Sequence, residues 1–102
     1  MTLKIVPPVH PGEYLREDLL VPLGITPYTL ARRLNVPRTR IERLVREETG
    51  ITPDTALRLG RFFNMSADFW VNMQSLYDLT IAEIGSADVL AAIEPFKLPN
   101  AA

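Results

Sequence analysis

The chain has 102 residues, 47% of them hydrophobic and 23% charged, with eleven Lys+Arg against twelve Asp+Glu. This is the size and balance of one soluble globular domain, and its near-neutral total argues against a protein that coats nucleic acid in bulk. Cysteine is absent and His10 is the single histidine, which excludes a disulfide framework, a thiolate zinc site and a cysteine nucleophile. No apolar run reaches the roughly 18 residues of a membrane span, and the N-terminus has no signal-peptide pattern, so the expected location is the cytoplasm.

Nine prolines punctuate the chain. Residues 1–10 read as an extended arm, because Pro7-Pro8 disfavours helix before and within it. Pro11, Pro27, Pro37 and Pro53 each stand where an amphipathic segment begins, a position where the missing N–H has no partner to lose. The first helix is expected from about Pro11 to Val21, with Leu15, Leu19 and Leu23 along one side and Pro22 and Gly24 as its stop. Thr26 caps a short second helix, Pro27 to Leu34. Asn35-Val36 forms a tight turn, and Pro37 opens a third helix that runs through Arg46. Thr52, Pro53 and Asp54 start the fourth with a cap, a proline and a first-turn acid. Ser66 caps a fifth and longer helix, Ala67 to about Ile84, closed by Gly85. Ser86 caps a short coda, Ala87 to Ile93. The predicted fold is all-α: a five-helix domain over residues 11–85, preceded by the arm and followed by a helical turn and tail over 86–102.

The segment PYTLARRLNVPRTRIERL, from Pro27 to Leu44, carries the most information. Leu30, Leu34, Val36, Ile41 and Leu44 point two short helices at a shared core. Ala31 stands where the helices cross, and Asn35 takes the left-handed turn position that glycine or asparagine tolerates. This spacing is that of a helix-turn-helix, the element that places its second helix in a DNA major groove. Between Arg32 and Arg46 lie six arginines (Arg32, Arg33, Arg38, Arg40, Arg43, Arg46) against one acid, Glu42, a local charge of +5 in a chain of net charge −1. Single arginines on short helices also serve as solubility residues, paired here with Glu42, Glu47 or Glu48. A cluster on this motif points instead to phosphate and to the O6/N7 edge of guanine, which the planar guanidinium grips through two N–H donors. Arg38, Thr39 and Arg43 are assigned to base edges. Thr26, Tyr28, Thr29, Arg32, Arg40 and Arg46 are assigned to the DNA backbone.

VHPGEYLREDLLVPLGITPYTLARRLNVPRTRIERLVRE and GITPDTALRLGRFFNMSADFWVNMQSLYDL closely resemble HigA-type antitoxins of type II toxin–antitoxin modules, within the wider Xre/Cro-like helix-turn-helix superfamily with its Cro/lambda-repressor-like fold. The resemblance spans about Pro7 to Glu83. It implies a homodimer that binds double-stranded operator DNA near its own promoter and neutralises a HigB-type mRNA endonuclease toxin. It carries the base contacts onto Arg38, Thr39 and Arg43. One departure stands out: where the family often has a basic, glycine-containing loop after the recognition helix, this chain has Glu47 and Glu48, which would repel phosphate.

On the fifth helix, Phe69, Met73, Leu76 and Thr80 form one stripe and are expected in the core. Trp70, Tyr77, Ile81 and Ile84 form a second stripe, expected as a dimer or partner surface. His10 reads as a cap or packing residue for the first helix. Glu17 and Asp18 are adjacent, so on a helix they diverge and make no catalytic pair. The serines lack a histidine partner, and no phosphate-cradling glycine loop is present. An enzyme is therefore not expected, nor a cofactor. Two other readings stay open: a stand-alone Cro-like regulator, and a protein-interaction module whose helix-turn-helix has lost DNA binding.

Overall fold

The computed structural model describes residues 8–99, which are helical without any strand. The elements are α1 (Pro11–Tyr14), a π-helical turn (Leu15–Leu20), α2 (Val21–Leu23), α3 (Pro27–Leu34), α4 (Arg38–Val45), α5 (Pro53–Phe63), α6 (Ala67–Gly85) and α7 (Ala87–Ala91). The arm expected over 1–10 falls mostly outside the described residues. His10 lies within them: its Nδ1 accepts the Gly12 N–H at 2.9 Å, so this buried histidine caps α1. Its ring packs edge-on against Tyr77 at 4.8 Å between centroids.

The first expected helix exists, but its register differs. Its middle is a π-turn, in which the Val21 N–H reaches back five residues to the Arg16 carbonyl. The wider turn puts Leu15 and Leu20, five residues apart, on the buried face and leaves Leu23 exposed, so the Leu15/Leu19/Leu23 stripe does not form as such. Pro22 has no N–H to offer and cannot continue a regular α-helix from the preceding turn. Gly24 then ends the rod with φ +67°, a conformation that costs glycine little.

The remaining caps follow from local chemistry. Thr26, Thr52 and Ser66 each accept a backbone N–H at a helix start (from Thr29, Thr55 and Asp68), and Asn35 and Asn64 end α3 and α5 in the left-handed region. Ser86 makes no side-chain cap bond to α7; its backbone (φ −120°) simply breaks the helical path after Gly85.

Leu30, Ala31, Leu34, Ile41, Leu44, Ala56, Leu59, Leu15, Leu20 and Trp70 form one core beneath α3, α4 and α5. Close packing is obligatory at two glycines. A Cβ on Gly12 would collide with the Leu44 carbonyl, and one on Gly60 would stand 2.7 Å from the Met65 carbonyl oxygen. The helix-turn-helix is thereby pressed against α1 on one side, while α5 is pressed against the turn that enters α6.

The two stripes of α6 exchange roles in part. Trp70 is fully buried, in edge-on contact with Tyr14 and Phe69, so it is a core anchor and not a partner surface. Tyr77 is half-buried against His10. Of the second stripe, only Ile81 and Ile84 are exposed. From the first, Phe69 and Leu76 are exposed while Thr80 is buried. The cause is rotation about the helix axis: with both faces apolar, periodicity leaves the inward side open, and packing puts Trp70 in the core while Phe69, which also meets the Tyr14 ring at 5.3 Å, stays partly exposed. Trp70→Ala is therefore expected to lower unfolding free energy by about 3–5 kcal/mol in urea titrations, with the loss appearing in monomer stability rather than in self-association alone.

Candidate nucleic-acid interface

The two helices of the motif are held at their crossing by Leu30, Ala31 and Leu34 against Ile41 and Leu44, all buried. The Asn35 turn (φ 60°, ψ 49°) reverses the chain between them. With the apolar faces turned inward, the outer face of α4 presents Arg38, Thr39, Arg40 and Arg43, all exposed. Arg43 and Arg46 form no ion pair with any described residue. Arg38 lies 3.2 Å from Glu42 one turn on, while remaining 61% exposed. Such an exposed pair is worth little and is readily exchanged for another anion.

Tyr28 joins the two helices of the motif. Its ring lies under the guanidinium of Arg32 at 5.9 Å and under that of Arg38 at 5.8 Å. The aromatic ring holds one cation from the last turn of α3 and one from the start of α4 without neutralising them. The hydroxyl of Thr26, expected to meet phosphate, is engaged within the chain: it accepts the Thr29 N–H at 3.1 Å and lies 3.0 Å from the Thr29 hydroxyl.

Arg40 is also engaged. Its Nη1 lies 2.5 Å from Asp54 Oδ2 at the start of α5. Asp54 simultaneously accepts from Arg58 Nε at 3.0 Å, and Arg58 Nη1 donates to the Leu34 carbonyl at 2.7 Å. Asp54 thus ties α4 to α5, and through Arg58 to the last turn of α3. In the sequence alone Asp54 stands out only as a first-turn acid, and Arg58 carries no mark of a functional role. The usable signal was their i,i+4 spacing on α5. Between α4 and the start of α5 lies a groove of about 340 Å³, bordered by Thr39, Arg40, Arg43, Thr52 and Asp54.

The acidic loop after α4 is less repulsive than its sequence suggests. Glu47 adopts a left-handed conformation (φ 64°), and its carboxylate lies 3.3 Å from Arg16 on the π-turn. Arg16 also donates to the Val45 carbonyl. Glu47 therefore completes the end of α4 and is partly neutralised from the side of α1. Glu48 stays exposed.

The two guanidinium groups beside Asp54 hold its carboxyl below the usual carboxylate range, the hydrogen bond from Arg40 being the larger cause. A depressed folded-state pKa contributes stability above the unfolded value of about 3.9, and this contribution is lost as pH falls through the folded value. Asp54→Asn should remove this contribution where it is present, lowering stability slightly at neutral pH and leaving it nearly unchanged at strongly acid pH, so that the acid limb flattens in thermal melts across that range.

Comparison with known proteins places this geometry. Residues 15–70 match the family model described as helix-turn-helix. Virulence-associated protein I of Dichelobacter nodosus is 53% identical over 78 residues, covering 76% of this chain and 72% of that protein. Antitoxin HigA-1 of Vibrio cholerae is 33% identical over 72 residues, 71% of this chain and 68% of its own. Among solved structures, the Pseudomonas aeruginosa antitoxin HigA with the higBA promoter superposes with a TM-score of 0.85 at 44% identity, covering 88% of this chain and 99% of that one. The α3–turn–α4 unit thus lies within a fold shared with these proteins, and the chain belongs to the helix-turn-helix family, in the group of the HigA-type antitoxins.

Proposed function

We propose that this protein is a dimeric, operator-binding repressor that also neutralises a HigB-type toxin. The observation that carries the DNA-binding part is the exposed outer face of α4, where Arg43 keeps its guanidinium free of any described carboxylate while the apolar side of the same helix is locked into the core. A helix locked in place loses little freedom on docking, and in helix-turn-helix geometry this face enters the major groove. Arg38, Thr39 and Arg43 read base edges. Arg32 and Arg46 hold the flanking phosphates, with Tyr28 setting the position of Arg32 and Arg38. Arg40 has its guanidinium on Asp54 and contributes less to the backbone than its position suggests.

The Pseudomonas aeruginosa HigA structure was determined with promoter DNA, which supports an operator as the partner here. A two-fold pair would present two α4 helices about 34 Å apart, one turn of the duplex. The antitoxin role rests on the family relationship, and its partner would be a small RNA-cleaving protein encoded next to this gene. No helix among the described residues is long and apolar enough to cross a membrane.

In gel shifts on the native upstream DNA, Arg43→Ala is expected to cost about 1–3 kcal/mol on the specific operator and to relax preference at one base pair. Arg46→Ala should weaken all sequences alike and lower the salt slope by about one. Absence of binding at low salt would remove the repressor reading and favour a pure protein-interaction module. Co-expression with the adjacent reading frame tests the other half: restored growth and a co-purified complex support the antitoxin role, and unrelieved toxicity removes it.

A further inference from the structure

One carboxylate borders the face proposed to meet DNA. Asp54, in the first turn of α5, lines the groove between α4 and α5 together with Thr39, Arg40, Arg43 and Thr52. Thr39 and Arg43 are assigned to base edges, so Asp54 shares a wall with the reading surface. Its side chain is 52% exposed, and a negative charge at this place opposes a phosphate rather than attracting one. The start of α5 thus carries an acid where a DNA-binding face is served better by a neutral or basic residue.

The two cations on Asp54 are not held alike. Arg58 stands one turn further along the same helix, with Nε 3.0 Å from Asp54 Oδ2, and its Nη1 also donates to the Leu34 carbonyl at 2.7 Å. Arg40 comes from α4, its Nη1 2.5 Å from the same oxygen, and no further hydrogen bond among the described residues anchors its guanidinium. Arg58 therefore keeps the carboxylate oriented whether or not Arg40 is present. An exposed ion pair is weak, and a phosphate offers a guanidinium two oxygens in place of one, so Arg40 is the partner that a DNA strand can draw away.

We infer that Asp54 stands in for a DNA phosphate within the protein: it holds Arg40 on α5 and thereby limits how tightly the chain grips the backbone of any duplex. Each phosphate contact releases counterions and adds affinity whatever the sequence, whereas discrimination comes from base edges. A residue that withholds one guanidinium from phosphate lowers the sequence-independent part of binding and leaves Arg38, Thr39 and Arg43 as they are. Asp54 is a positioning residue in this role, since it acts on DNA through Arg40. The inference rests on the operator-binding reading of α4 and names the residue that sets its non-specific component.

The test is a salt titration of the full chain on two duplexes of equal length, the native upstream DNA and an unrelated sequence. Asp54→Asn keeps the side-chain shape and removes the charge. It should bind both duplexes about three- to tenfold more tightly than the wild type in about 0.1 M salt, with the salt slope steeper by about one. A gain of this kind separates the role from a merely structural one, because a loosened fold would weaken binding. In an Arg40→Gln background the same substitution should change binding less than about twofold, since the guanidinium it would release is gone. Unchanged or weaker binding of Asp54→Asn to both duplexes overturns the inference and leaves the repressor reading standing. Loss on the native DNA alone also overturns it, by showing that the carboxylate contacts a base. A gain of equal size without Arg40 overturns the pairing, the carboxylate then acting by repulsion only. A wild-type chain that binds neither duplex at low salt overturns the inference and the operator-binding reading together.

Discussion

The structure depends on how closely the α3–turn–α4 unit is pressed against its neighbours. Gly12 leaves no room for a side chain beneath the Leu44 carbonyl, and Ala31 is buried between the two crossing helices. Arg16 reaches the end of α4, and Arg58 reaches the end of α3. The unit is thus held from α1 on one side and from α5 on the other. Without that support, two eight-residue helices would be too short to persist in water. Their rigidity is what turns a row of arginines into a surface with a fixed shape.

Charge is divided to the same end. The arginines that brace the fold are satisfied by carboxylates or carbonyls: Arg16 by Glu17, Glu47 and Val45, and Arg58 by Asp54 and Leu34. Arg43 and Arg46, in contrast, face solvent without an ion pair to a described carboxylate. Tyr28 places Arg32 and Arg38 by their attraction to its ring, which orients a cation without cancelling it. Arg40 belongs to both groups, exposed on the outer face of α4 yet fastened to α5 through Asp54. The chain is close to neutral only because its acids lie elsewhere, five of them beyond Ser66.

The helix-turn-helix was legible in the sequence because each of its requirements is local. Thr26, Pro27, Asn35 and Pro37 act through the backbone within a few residues, and the apolar spacing from Leu30 to Leu44 follows from helical geometry. The caps Thr52 and Ser66 were readable for the same reason, as was His10 on Gly12. The acid at position 54 was visible as a first-turn residue, but its bond to Arg40 spans fourteen positions and depends on how α5 approaches α4. The neutralisation of Glu47 by Arg16, thirty-one positions away, was equally out of reach.

By itself the sequence determined the all-helical class, most helix boundaries and the motif with its arginine cluster, since these follow from backbone chemistry and charge along the chain. Tertiary structure decided which face of each helix turned inward. The π-turn replaced the Leu15/Leu19/Leu23 stripe with Leu15 and Leu20. On α6, apolar on both sides, periodicity could not choose between Trp70 and Phe69. Both rings touch Tyr14, and the packed helices bury Trp70 fully while leaving Phe69 partly exposed. Packing also decided which cations were bound within the protein and which were left facing outward, because a guanidinium finds its partner across space rather than along the chain.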